Sequence, residues 1–240
     1  FYIPVLSQSI EYDRLAGYFS STSLAIAARG IANFVKNGGK MKLVVSPKFQ
    51  VKDLQMIEEV IKNPTRIAEK IMLEELDKIE NEFVRDHVQA LGWMLSNNRL
   101  EIKVAIVIPE IYEKGQKPTI DSGIFHQKVA ILSDSIGNTV TFSGSINESA
   151  MGWLGDIEEF KVFRSWESSE NDYVRADINK FQRFWLDSSP KVRIISLPKA
   201  VSEKMISISP NDFESIHLEK WVIQKQKVPL FDYQKNAIQS

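Results

Sequence analysis

Residues 125–153 read FHQKVAILSDSIGNTVTFSGSINESAMGW, and this stretch decides the fold. Its apolar runs KVAIL and TVTFS are bounded by Ser, Asp, Gly and Asn residues, which is the pattern of two short strands joined by a turn. Because side chains on a strand repeat with a period of two, His126 and Lys128 project from the same face. The stretch therefore predicts a strand pair that holds an imidazole and an ammonium side by side.

Strand and helix patterns alternate around this stretch. Strands are predicted at YDRLAGYFS, MKLVVS, LEIKVAIVI and EEFKVFRSW, and helices at STSLAIAARGIANFVKN and over about 171–185. An amphipathic helical insertion is predicted over about 51–98, whereas the tail after Pro190 reads as less regular. This order predicts an α/β fold, with a layered mixed sheet flanked by helices.

The composition excludes several classes of protein. The 240 residues include no cysteine, so disulfides, thiol nucleophiles and the common structural zinc sites are excluded. The 30 basic and 31 acidic residues give a net charge of -1, so a site for a polyanion must be local. No apolar run is long enough to span a bilayer. We expect a cytoplasmic protein without a membrane partner, and, because the chain begins at Phe1, a piece of a longer one.

The residues around the strand pair suit phosphate chemistry. Lys128 disfavours protonation of His126, which keeps a ring nitrogen nucleophilic, and it can bind an anionic oxygen. Gly144 lets the backbone approach a ligand, and Ser145 and Asn147 offer neutral hydrogen-bond donors. Lys128, Ser145 and Asn147 are therefore predicted to stabilise the charge on a pentavalent phosphorus.

A nucleophilic histidine also needs its second ring nitrogen held in one tautomer, usually by a carboxylate. Glu158 and Glu159 open the next predicted strand, and both are candidates on this ground. No second histidine or carboxylate falls at ligand spacing from His126, so neither a metal nor any other cofactor is expected.

The segments FHQK and GSIN, followed by a downstream glutamate, resemble the HxK and GSxN signature of the phospholipase D superfamily. The closer resemblance is to the phospholipase-D-like nuclease domains of some restriction enzymes and of helicase fusions. The opening FYIPVL and YDRLAGYFSSTSL is similar to the first strand and helix of the helicase-linked domains. The resemblance implies a nuclease domain over 1–195, with the helical insertion inside it.

This resemblance implies a role for each site residue. His126 would form a phosphohistidine, Lys128 and Asn147 would bind the phosphate, Glu158 would orient a histidine, and Gly144 and Ser145 would shape the pocket. The family's aspartate falls five residues after the lysine, where this chain has Ser133, and Asp134 comes one residue later. That aspartate is largely structural in the family, so the departure removes no reacting group.

The family mechanism uses two histidines, one to attack phosphorus and one to protonate the leaving oxygen. Only one HxK occurs here, because His87 is followed two residues later by Gln89 and His217 by Glu219. We therefore expect a twofold homodimer with a composite active site. Both other histidines are expected to be structural or solvated.

The tail LFDYQKNAIQ resembles the entry to a superfamily-two helicase core. Residues 196–240 are accordingly predicted to be a linker and the start of a helicase region. No GxxxxGK[ST] loop follows within this chain. The implied parent is a helicase and nuclease fusion that acts in restriction or defence against foreign DNA.

Two other functions stay open at this point. A catalytically silent module that binds nucleic acid or dimerises, and so positions a helicase, would fit the shifted aspartate and the neutral net charge. A phospholipase is less favoured because no basic amphipathic helix with aromatic anchors is evident. Lys36, Lys40, Lys42 and Lys48 surround the second strand and either follow a nucleic-acid backbone or form a solvated face.

Overall fold

A computed structural model of the chain describes residues 2–48, 62–107, 128–144, 160–190 and 192–221. Within these ranges a seven-stranded sheet has the order β6-β5-β4-β1-β2-β3-β7. The strands are β1 (Glu11–Tyr18), β2 (Lys40–Ser46), β3 (Leu100–Val107), β4 (Lys128–Ser133), β5 (Thr139–Gly144), β6 (Phe160–Arg164) and β7 (Val192–Ser196).

Helices cover both faces of this sheet. In chain order they are α1 (Tyr2–Leu6), α2 (Ser21–Ala27), α3 (Ile31–Lys36), α4 (Pro64–Asp77), α5 (Glu82–Ser96), α6 (Asn171–Trp185) and α7 (Lys199–Ser207), followed by two short 3-10 helices, Phe213–Ser215 and Leu218–Trp221. The expected mixed sheet flanked by helices is thus confirmed, and helices occupy the described part of the predicted insertion.

The strand directions place seven strand ends together. β1, β2 and β3 are mutually parallel, whereas β4 is antiparallel to β1, β5 to β4, β6 to β5 and β7 to β3. As a result β1, β2, β3 and β5 end at the same side of the sheet at which β4, β6 and β7 begin. We call this side the carboxyl end of the sheet.

Two apolar cores lie on opposite faces of the sheet, as the period-two alternation of each strand requires. The larger face is buried by α1 to α5 and α7, and its core includes Tyr12, Phe34, Leu43 and Leu91. The smaller face is packed against α6, and its core includes Phe181. Parallel strands joined by helical crossovers are typically covered on both faces in this way.

Two sequence expectations differ from the structure in detail. The helix predicted over 21–37 is two helices, because Gly30 adopts a left-handed backbone with a φ of 80° and interrupts it. The tail after Pro190, expected to be less regular, forms β7 and α7 within its described part, and α7 packs on α4 and α5.

Among the described residues, no helix has both the length and the apolar character that crossing a bilayer would require.

Candidate functional site at the carboxyl end of the sheet

Lys128 and Gly144 lie at adjacent strand ends. Lys128 is the first residue of β4 and Gly144 is the last residue of β5. Val129 is in register with Ser143 across these two antiparallel strands. Lys128, which precedes Val129, and Gly144, which follows Ser143, therefore both lie at the carboxyl end. On the other side of β4, Lys128 is in register with Ala16 of β1. The lysine therefore lies between β1 and β5 near the middle of the sheet.

The face that Lys128 occupies follows from the alternation along β4. Ala130 and Leu132 belong to the larger core, and Lys128 precedes them with the same parity. The lysine side chain is half-buried, whereas the alternate residues Val129 and Ile131 pack on the smaller face. Lys128 therefore lies on the larger face at the carboxyl end of the sheet.

The other predicted site residues lie outside the described residues. His126 precedes Lys128 by two residues, Ser145 and Asn147 follow Gly144 by one and three, and Glu158 precedes Phe160 by two. Gly144 and Phe160 are themselves register partners of β5 and β6. The described residues that flank the three predicted segments are consequently brought together at the carboxyl end of the sheet.

Next to Lys128, β1 ends in a bulge that the sequence reading missed. Gly17 has a φ of 64°, and the register with β2 shifts between Leu15 and Tyr18. A glycine bulge re-aims the residue that follows it. Beyond it, Tyr18 is in register with Ser46, and the ammonium of Lys48 lies 5.7 Å from the centre of the Tyr18 ring. The glycine in GYFSS was the signal that could have indicated this bulge.

Arg14, which the sequence analysis did not single out, is a buried cation on the larger face. Arg14 is 6% exposed, and its Nη1 donates a hydrogen bond of 2.8 Å to the hydroxyl of Tyr12. The hydroxyl of Tyr2 lies 3.0 Å from that of Tyr12 and 2.9 Å from the carbonyl oxygen of Ala27. Burial, reinforced by Tyr12, raises the pKa of Tyr2 well above its ordinary value. Tyr2 therefore stays a neutral hydroxyl beside Tyr12, whose own hydroxyl solvates the guanidinium.

Asp134 is part of the turn between β4 and β5. Its Oδ1 accepts from the backbone nitrogens of Ile136 (3.0 Å) and Asn138 (2.9 Å), and its Oδ2 accepts from Nδ2 of Asn138 at 2.9 Å. The side-chain hydrogen bond from Asn138 is the main cause that lowers the pKa of Asp134. This carboxylate shapes the hairpin at the end of the sheet opposite Lys128.

The two described histidines lie on α5 and in the tail beyond α7. His87 is 1% exposed on α5, and its Nδ1 lies 2.7 Å from the carbonyl oxygen of Phe83. His217 is exposed beside Glu219, with a separation of 3.6 Å between Nδ1 and Oε1. The expectation that both are structural or solvated agrees with these positions.

The four lysines around β2 do not form one patch. Lys36 ends α3, 3.8 Å from a carboxylate oxygen of Glu214. Lys40 and Lys42 lie at the start of β2, whereas Lys48 follows its last residue by two. Because the strand is about 20 Å long, the lysines at its two ends cannot serve one phosphate. Of the four, Lys48 is the one at the carboxyl end.

A cavity of about 290 Å³ lies at the opposite end of the sheet, beside the β4–β5 turn. Its lining is mainly apolar and includes Val5, Leu132, Val140 and the half-exposed Trp166. The Asp134 carboxylate at its rim is already used by the turn. This cavity therefore offers no reactive group, and the candidate site stays at the carboxyl end.

Within the described ranges no three His, Asp or Glu side chains cluster as metal ligands.

No family model matches the chain, and no curated protein is significantly similar to it in sequence.

Proposed function

We propose that this chain is a metal-independent phosphodiesterase that cleaves nucleic acid, with DNA as the expected substrate, through a covalent phosphohistidine on His126. The observation that supports it most directly is the position of Lys128 and Gly144 at neighbouring strand ends. The HxK and GSxN segments are adjacent in the chain to these two residues. A phosphoryl group bound at this end would have an ammonium and a glycine backbone beside it.

The proposed reaction proceeds by two displacements. A ring nitrogen of His126 forms a bond to phosphorus while the bond from phosphorus to the leaving oxygen breaks, and a second histidine donates a proton to that oxygen. Water then gives a proton to the second histidine and attacks phosphorus, and the bond between nitrogen and phosphorus breaks. Lys128 and Asn147 bind the phosphoryl oxygens, Gly144 and Ser145 shape the pocket, and Glu158 fixes the tautomer of a histidine.

The second histidine is proposed to be His126 of another copy of this chain. One HxK is present per chain, and the described histidines are buried in α5 or lie in the tail beyond α7. A twofold dimer supplies two copies of one motif across an isologous interface.

We further propose a cytoplasmic protein whose longer parent includes a helicase core after residue 196. The cysteine-free composition supports the first of these proposals, and the segment LFDYQKNAIQ supports the second.

The test is cleavage of labelled single-stranded and duplex DNA in excess EDTA. We expect wild type to cleave the DNA. His126→Ala and Lys128→Ala should each lower the cleavage rate at least about a hundredfold, because they remove the nucleophile and a charge-stabilising donor. Lys40→Ala is the matched control, because Lys40 is exposed at the other end of β2. Rapid denaturation of wild type with labelled substrate at alkaline pH, where the nitrogen–phosphorus bond survives, should trap phosphate on the protein, but not on His126→Ala.

Full activity in His126→Ala, or activity that EDTA abolishes, would contradict this mechanism. Full activity in a monomer, measured by light scattering, would contradict the composite site. DNA binding that weakens with salt, is unchanged in His126→Ala and produces no cleavage would favour a silent binding module instead.

A further inference from the structure

Tyr18 and Lys48 form an aromatic and cationic pair at the carboxyl end of the sheet, where Lys128 also lies. Ala16, the register partner of Lys128, precedes Tyr18 by two residues of β1, which is roughly 7 Å along an extended strand. The Gly17 bulge lies between them and sets the direction of the Tyr18 side chain. The pair therefore lies at the same end of the sheet as the proposed phosphate site.

Each member of the pair suits one part of a nucleotide. Tyr18 is half-buried, so its ring is held by the protein and still partly open to solvent. Lys48 is exposed, and its ammonium lies over the Tyr18 ring, 5.7 Å from the ring centre. Aromatic rings stack on bases whatever the base sequence, and an ammonium next to the ring pairs with the adjoining phosphate.

We propose that Tyr18 and Lys48 are a nucleotide-binding subsite, in which an unpaired base stacks on Tyr18 and its phosphate pairs with Lys48. This inference rests on the proposed function for its substrate, and it specifies single-stranded nucleic acid as the preferred form. In a duplex the faces of the bases are covered by their neighbours, so the Tyr18 ring has no free base to stack on. Lys48 alone then contributes to duplex binding.

Binding is the direct test, with fluorescence anisotropy of a labelled thymidine oligonucleotide of about twelve residues and of a hairpin duplex of similar length. We expect Tyr18→Leu to weaken binding of the single strand about tenfold and to leave the duplex within about twofold, because stacking on one ring is lost. Tyr18→Phe keeps the ring and should bind as wild type. Lys48→Ala should weaken both and reduce the salt slope by about one, whereas Lys40→Ala should not.

Equal binding of the single strand by Tyr18→Leu and wild type would overturn the subsite, and so would an equal loss for single strand and duplex. Hydrolysis of a chromogenic phosphodiester without a nucleobase separates this result from the proposed function. If wild type hydrolyses that diester and Tyr18→Leu binds DNA normally, the phosphodiesterase stands and the subsite fails. If no hydrolysis occurs but Tyr18→Leu loses single-strand binding, the subsite stands and the catalytic proposal fails.

Discussion

The two faces of the sheet are built differently. Within the described ranges, the larger face is covered along its length by α1 to α5 and α7, whereas the smaller face is covered by α6. The half of the smaller face farther from the carboxyl end has mostly exposed, charged residues, which we call the charged strip: Glu11, Asp13, Lys40, Lys42, Glu101 and Lys103.

Opposite charges are neighbours along this strip. Glu11 is in register with Lys40, and Lys42 has Asp13 on one side and Glu101 on the other. Such cross-strand pairs stabilise a sheet by a few tenths of a kcal/mol up to about 1 kcal/mol each. The ammonium of Lys103 lies 4.3 Å from the Trp185 ring centre, at the border with α6. The comparison teaches that each strand is apolar only where a helix covers it, and that both faces are covered near the proposed site.

The largest expected effect comes from removing the centre of the smaller core. Phe181 is 0% exposed and stacks on Trp185, with ring centres 5.5 Å apart. We expect Phe181→Ala to lower the free energy of unfolding by about 3–5 kcal/mol in urea titration, because it removes buried area and leaves a cavity. Hydrogen exchange should show the amides of α6 opening before those of α5, since α6 is held by the smaller core.

Phe34→Ala is the matched control, because Phe34 is also 0% exposed but lies in the larger core. It should cost a similar amount without selective opening of α6. A loss below about 1 kcal/mol for Phe181→Ala, or equal exchange of α5 and α6, would contradict a separate smaller core.

The sequence predicted most of this sheet and only part of the site. The period-two alternation located β1 to β6, because covered strands and turn residues both leave a pattern in the sequence. β7 was missed because VRIIS follows several turn-forming residues and includes an exposed Arg193. The buried position of Arg14 was missed because alternation places it in the core while its charge argues against burial. The hydroxyls of Tyr12 and Tyr2, which the tertiary structure brings together, explain this burial. The direction of the Tyr18 side chain depends on the bulge at Gly17, and this bulge is visible in the pairing of β1 with β2.

A middle-sized effect is expected from a buried hydrogen bond on the smaller face. The hydroxyl of Thr141 donates to Oδ2 of Asp177 at 2.8 Å, and the two residues are 0% and 5% exposed. Thr141→Val keeps the volume and removes the donor, which leaves a buried carboxylate short of one hydrogen bond. We expect a loss of about 1.5–3 kcal/mol in the free energy of unfolding.

Tyr12→Phe is the counterpart on the larger face, where the Tyr12 hydroxyl contacts Arg14 and Tyr2. It should cost about 1–3 kcal/mol for the same reason. In an Asp177→Ala background, Thr141→Val should lose most of its effect, because the pair acts as one unit. Additive losses in that double variant would show that Thr141 and Asp177 are not coupled.

The smallest effect is a pH dependence at the charged strip. Burial raises the pKa of Asp13 to about 6, with Lys42 opposing and Glu11 reinforcing the shift. An unfolded aspartate titrates near 3.9, so the folded state binds this proton more tightly. Stability from this group is therefore full below about pH 4 and is lost as pH rises through about 6. Asp13→Asn cannot ionise, and it should exceed wild type by about 1 kcal/mol at pH 7.5, a value reduced for solvent screening.

His87, buried on α5, gives the opposite dependence of stability on pH. Burial lowers the pKa of His87 below its usual 6.5, so stability present above that pH is lost as pH falls and the unfolded chain takes up the proton. Thermal melts from pH 4 to 8 separate the two groups, because Asp13→Asn removes one slope and leaves the other. If Asp13→Asn still lost stability between pH 5 and 7, the titration would belong to another carboxyl, and Asp13 would be as well solvated as its neighbours.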